Sequence, residues 1–132
     1  MRNGMQVRSG HIIFDEKVQF KDLAPVYSEL FLKFLRESDQ VPEEEEYMNM
    51  LLRENLMYLE KNRKPEGYNR MGRMRLVFPL TKEHITFYIY SLHENDDVWR
   101  ITQIISKLLQ RKGLKHEIEW NKMLLYKLKK KK

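Results

Sequence analysis

Arg63, Lys64, Arg70, Arg73 and Arg75 fall within one short stretch, "RKPEGYNRMGRMRLVFPL", against a single acid, Glu66, with Tyr68 among them. Guanidinium and ammonium groups at this density hold phosphate oxygens, and a tyrosine ring between them offers a face for a base. Gly67 and Gly72 allow the backbone to approach a ligand closely. The alternative use of the same residues is a solvated loop.

The stretch runs into a strand whose alternation sorts its side chains. Met74, Leu76, Phe78 and Leu80 share one face, leaving Arg73, Arg75 and Val77 opposite. In the following segment Ile85, Phe87 and Ile89 share a face, leaving Thr86, Tyr88 and Tyr90 opposite. One face of this hairpin is apolar and belongs against helices. The other mixes arginine with tyrosine, the combination that single-stranded nucleic acid uses for pairing with phosphates and stacking of bases. Tyrosine and threonine are also ordinary strand formers, and arginine keeps a free sheet face soluble. Lys127 and Lys129, Lys130, Lys131 and Lys132 add a basic tail of about 127–132 suited to phosphates or to solubility alone.

Catalytic signatures are sparse. His84, beside Glu83 at the mouth of the hairpin, is the best candidate for a nuclease general base. Neighbouring strand residues point to opposite faces, however, and no paired-histidine metal spacing, phosphate-binding glycine loop or nucleophile triad is recognisable. Helix capping accounts for Glu94, Asp96 and Asp97 more simply than metal binding does. The expectation is a binding protein, not an enzyme, with no cofactor.

Elements that must position these residues follow from periodicity. Gly10 to Phe20 reads as a strand or hairpin, with Ile12, Phe14, Val18 and Phe20 alternating about a bend at Asp15-Glu16. A helix follows, with Asp22 as N-cap and Pro25 in its first turn, and with Leu23, Val26, Tyr27, Leu30, Phe31, Phe34 and Leu35 on one face. Pro42 opens a second helix whose first turn is Glu43 to Glu46 and whose end carries Lys61, Arg63 and Lys64, matching the helix dipole. Its apolar residues wrap beyond one stripe, so Tyr47, Met50, Leu51, Met57 and Tyr58 are expected to form a homodimer interface. A third helix begins at Asn95 or Asp96, presents Val98, Ile101, Ile105, Leu108 and Leu109, and stops at Gly113. "KHEIEW", Asn121-Lys122 and "MLLYKLKKKK" read as a closing hairpin.

The expected fold class is α+β, a mainly antiparallel sheet with about three helices packed on one face, in a single domain of 132 residues. Phe31, Phe34, Leu76, Phe78, Phe87, Ile89, Ile101, Ile105 and Leu108 are the expected core. Hydrophobic residues at 42% and charged residues at 33% exclude a disordered chain, and no apolar run is long enough for a membrane span. The absence of cysteine excludes disulfides and thiolate zinc sites and fits an intracellular, cytoplasmic location. Ala24 is the only alanine, a bias that fits an AT-rich genome such as that of a phage or virus.

A net charge of +6 favours polyanion partners. Two functional readings result. The first is nucleic-acid binding, preferentially to single-stranded DNA or RNA with weak sequence specificity, through loop, sheet face and tail. The second is a protein-binding module, such as an inhibitor, adaptor or assembly subunit, using the apolar second helix with its adaptable methionines.

Overall fold

The computed structural model describes residues 6–69, 72–81 and 83–123. The elements are β1 (Val7–Phe14), α1 (Phe20–Glu37), α2 (Glu45–Glu60), β2 (Met74–Val77), β3 (Thr86–Asn95), α3 (Asp96–Arg111) and β4 (His116–Trp120). The fold is α+β: a four-stranded antiparallel sheet, in the order β2-β3-β1-β4, with three helices packed against it. Because β3 and β4 both run antiparallel to β1, they are parallel to each other and need a crossover, which α3 supplies. β1 therefore lies inside a split β-α-β unit.

The alternation in the hairpin decides the layers. Met74, Leu76, Phe87 and Ile89 are fully buried beneath the helices with Ile12 and Phe14 of β1. All nine expected core residues are buried there. α3 packs tightly under β1, where a side chain on Gly10 would run into Thr102. α1 brings Phe31 and Phe34 into the same core, and its Tyr27 ring lies 6.4 Å from Phe78. α2 packs on the flank of α1 through Leu51, Asn55 and Leu59, which recur every fourth residue on one face.

Several boundaries differ from expectation. Val18 and Phe20 form no second strand: the chain turns at Asp15, whose carboxylate accepts the Lys17 N–H at 3.2 Å, and Phe20 already opens α1. Gln19 is the N-cap, and Asp22 sits three residues later, where its carboxylate accepts the Gln19 N–H at 2.8 Å. Pro25 thus falls in the second turn, where it removes one intrahelical bond. α2 starts at Glu45, after Pro42 and Glu43, so only Glu45 and Glu46 occupy its first turn, and Arg63 and Lys64 lie past its C-cap, Lys61. β2 stops at Val77, leaving Leu80 84% exposed.

The closing hairpin is also different in its described part. Asn121 takes a left-handed φ of 56°, and its Oδ1 accepts the N–H groups of Arg8 at 2.9 Å and Ser9 at 3.3 Å. Lys122 then donates its N–H to His11 Nε2 at 3.1 Å, on the sheet face away from the helices. The chain therefore leaves the plane of the sheet at Lys122. The expected second strand of that hairpin lies outside the described residues after Met123.

Candidate nucleic-acid interface

The sheet face away from the helices is assembled by register. Arg75 stands opposite Tyr90 and Val77 opposite Tyr88 in the β2–β3 pair. On β1, Ser9 stands opposite Tyr90, His11 opposite Tyr88 and Ile13 opposite Thr86. On β4, Glu119 stands opposite His11 and Glu117 opposite Ile13. Directly opposed residues share a face, so the β2–β3 half carries a cation and two rings while the β4 half carries two carboxylates. The Tyr88 and Tyr90 centroids are 6.2 Å apart, and both rings are part-exposed.

The centre of this face is closed. His11 is fully buried, its ring 5.0 Å from Tyr88, and Ser9 and Thr86 are buried beside it. Ser9 Oγ lies 2.8 Å from His11 Nε2, the same nitrogen that accepts the Lys122 N–H. That acceptor role places the imidazole proton on Nδ1 and requires the neutral ring. Burial, with the Lys122 charge adding to it, lowers the His11 pKa to about 4.

The basic loop is held elsewhere. Tyr68 exchanges both backbone hydrogen bonds with Leu76, at 2.8 and 3.0 Å, and so takes the helix-side face that Leu76 occupies. Its ring lies 6.3 Å from Phe31 and 6.0 Å from Phe34, and burial, then the neighbouring Tyr47, raises its pKa. Tyr68 therefore does not share a surface with Tyr88 and Tyr90, contrary to expectation. Arg73 lies just before β2, where strand alternation does not yet apply. Its Nη2 donates to the Ser38 carbonyl at the end of α1 at 2.7 Å, and its Nη1 is 3.8 Å from Asp97. Arg100 bridges the same Asp97 and Glu37, so Arg73 belongs to a charged cluster joining α1, α3 and the entry to β2.

Arg63 and Lys64 are exposed beside the end of α2. There Asn62, at φ 59°, accepts the Lys21 N–H at 3.1 Å and ties that end to the start of α1. Of the expected phosphate and base contacts, the register thus brings together Arg75, Tyr88 and Tyr90. Arg70, Lys127, Lys129, Lys130, Lys131 and Lys132 lie outside the described residues.

His84 Nδ1–H donates to the Phe14 carbonyl oxygen, 3.0 Å away, because a carbonyl can only accept. Among the described residues no group of three or more histidine, aspartate or glutamate side chains is placed to hold a metal ion. No helix among them is long and apolar enough to cross a membrane.

On the expected dimer surface, Tyr47, Met50, Met57 and Tyr58 are 39–44% exposed. Leu51 is not part of that surface: it is 3% exposed and faces α1 with Asn55 and Leu59. Alternation and periodicity alone missed the roles of Asn55, His11 and Asn121. Asn55 carried one signal, its place between Leu51 and Leu59 at four-residue spacing on a buried helix face. The chain matches no protein-family model, no curated protein and no solved structure.

Proposed function

We propose that this protein binds single-stranded nucleic acid through the β2–β3 half of its outer sheet face. The observation that carries the reading is Arg75 directly opposite Tyr90, with Tyr88 alongside on the same strand. Arg75 supplies a phosphate partner, and the two rings supply stacking surfaces for adjacent bases. Arg63, Lys64 and the net charge of +6 add attraction that does not depend on sequence, which fits weak specificity. The buried centre of the face and the carboxylates Glu117 and Glu119 confine the contact to the β2–β3 side. Binding, with no chemical step, is the activity proposed.

Anisotropy of a labelled single-stranded oligonucleotide, titrated at several salt concentrations, tests this. Tyr90→Ala is expected to weaken binding by roughly 1–3 kcal/mol. Arg75→Ala is expected to lower the salt slope by about 0.7. Arg73→Ala, whose side chain is engaged with Ser38, should leave that slope unchanged. Wild-type affinity in both Tyr90→Ala and Arg75→Ala would overturn the proposal. A second reading, association with protein, is favoured by one specific observation, the exposed apolar residues of α2.

A further inference from the structure

α2 uses one face on α1 and leaves another uncovered. Leu51, Asn55 and Leu59 point inward, while Tyr47, Met50, Met57 and Tyr58 stay 39–44% exposed. At 100° per residue these four fall within about a third of the helix circumference, beside the buried row. Their order along the helix is nearly symmetric about Arg53. Tyr47 and Met50 precede it by six and three residues, and Met57 and Tyr58 follow it by four and five.

The charges obey the same centre with opposite sign. Glu43 to Glu46 lie seven to ten residues before Arg53, and Lys61, Arg63 and Lys64 lie eight to eleven after it. This face is apolar on both sides of Glu54, acidic at one end and basic at the other, so apart from that central carboxylate it is complementary to itself when reversed. The reversed copy sets Tyr47 against Tyr58, Met50 against Met57, and each acidic end against a basic one. A parallel copy would instead place glutamates on glutamates and lysines on arginines, a like-charge juxtaposition that opposes association. Reversal also aligns each helix dipole against its partner's opposite end.

We propose that the protein forms a two-fold symmetric dimer through α2, with the helices antiparallel and the axis passing close to Arg53. The interface is isologous, so each copy contributes the same four apolar side chains and one Glu54 beside the axis. Methionine at its centre adapts to the facing copy, and the two tyrosines keep their hydroxyls at the wet rim. This dimer is independent of the oligonucleotide reading, because α2 lies on the other side of the core from the outer sheet face.

Analytical ultracentrifugation over a range of concentrations reads the dimer directly, and Met57→Glu on the full chain should raise its dissociation constant by at least about tenfold. Added salt should weaken the dimer, since both ends are exposed charge pairs. Orientation is read by cross-linking, for which the cysteine-free chain provides a clean background. Glu54→Cys, next to the axis, should couple to itself through a short bismaleimide. Tyr47→Cys should not, because an antiparallel pair holds the two positions roughly 17 Å apart along the axis at 1.5 Å per residue. Circular dichroism of each variant confirms that the fold is retained. A concentration-independent monomer, or Tyr47→Cys coupling to itself as readily as Glu54→Cys, overturns the proposal.

Discussion

Asn55 holds both backbone groups of Gly67: its Oδ1 accepts the Gly67 N–H at 2.7 Å, and its Nδ2 donates to the Gly67 carbonyl at 3.2 Å. The same Oδ1 accepts the Tyr27 hydroxyl at 3.1 Å, and Nδ2 also reaches the Leu51 carbonyl at 2.9 Å. One buried amide thereby ties α2 to α1 and anchors the loop that leads to β2. Replacing it by Asn55→Ala strands the Gly67 backbone and the Tyr27 hydroxyl without partners. The expected loss is about 2–4 kcal/mol, read as a lower urea midpoint at unchanged slope. A loss under about 1 kcal/mol would mean that water replaces the amide freely.

Gly67 and Gly113 form a matched pair for substitution. Both take positive φ, 75° and 78°, but a Cβ on Gly67 would collide with the Leu76 carbonyl, whereas Gly113 has open space around it. Gly113→Ala should cost about 1–2 kcal/mol, the left-handed backbone penalty alone. Gly67→Ala should cost visibly more, because a paired strand carbonyl must also move. Equal thermal midpoints for the two variants would contradict this.

Gly10 and Thr102 are expected to be energetically coupled. A Cβ on Gly10 would overlap the Thr102 side chain, which is fully buried and donates Oγ1–H to the Val98 carbonyl at 2.7 Å. Gly10→Ala should destabilise by about 1–3 kcal/mol. Adding Thr102→Ala, which removes Oγ1 and Cγ2 and leaves a single tight Cβ contact at 2.9 Å, should make the double variant more stable than the two single losses summed. A coupling energy of at least about 0.5 kcal/mol in a double-mutant cycle is the expected readout.

His11 makes stability depend on pH. With a folded pKa of about 4 against an ordinary 6.5, the unfolded chain binds more protons in that interval. The contribution of the neutral ring is therefore complete above pH 6.5 and is lost as pH falls toward 4. Between pH 7 and 5 the loss should be about 2 kcal/mol, measured by denaturant titration. His11→Asn should flatten this interval. An unchanged slope in that variant would assign the effect to other groups.

Helical faces and the two-residue period of β2 and β3 were readable because burial there is one-sided. Phe31 and Phe34 must follow Leu30 inward, and Phe87 cannot point the same way as Tyr88. Readability ended where a residue's partner is distant in the chain or where alternation has not begun. Arg73 sits one residue outside β2 and turns to the Ser38 carbonyl. Tyr68 owes its face to the bridge with Leu76. Val18 and Phe20 alternate well enough for a strand, yet the bond from Gln19 N–H to Asp22 starts a helix there. On the candidate site, alternation identified Arg75, Tyr88 and Tyr90. Only pairing with β1 and β4 revealed that a buried histidine and two carboxylates border them.

The place of β1 has a consequence for how the chain reaches its fold. This strand is made before the other three, yet its neighbours are β3, with Gly10 opposite Ile89, and β4, with Gly10 opposite Trp120. Its apolar residues Ile12 and Phe14 therefore wait until β3, α3 and β4 have been made. The α1–α2 pair, by contrast, can form from local contacts alone. Long-range closure of this kind slows folding and leaves an unpaired strand exposed to misassociation in the interval. Loss of residues from the C-terminal side of β4 inward should accordingly leave a helical pair attached to a strand with one edge unfilled, a species prone to aggregate.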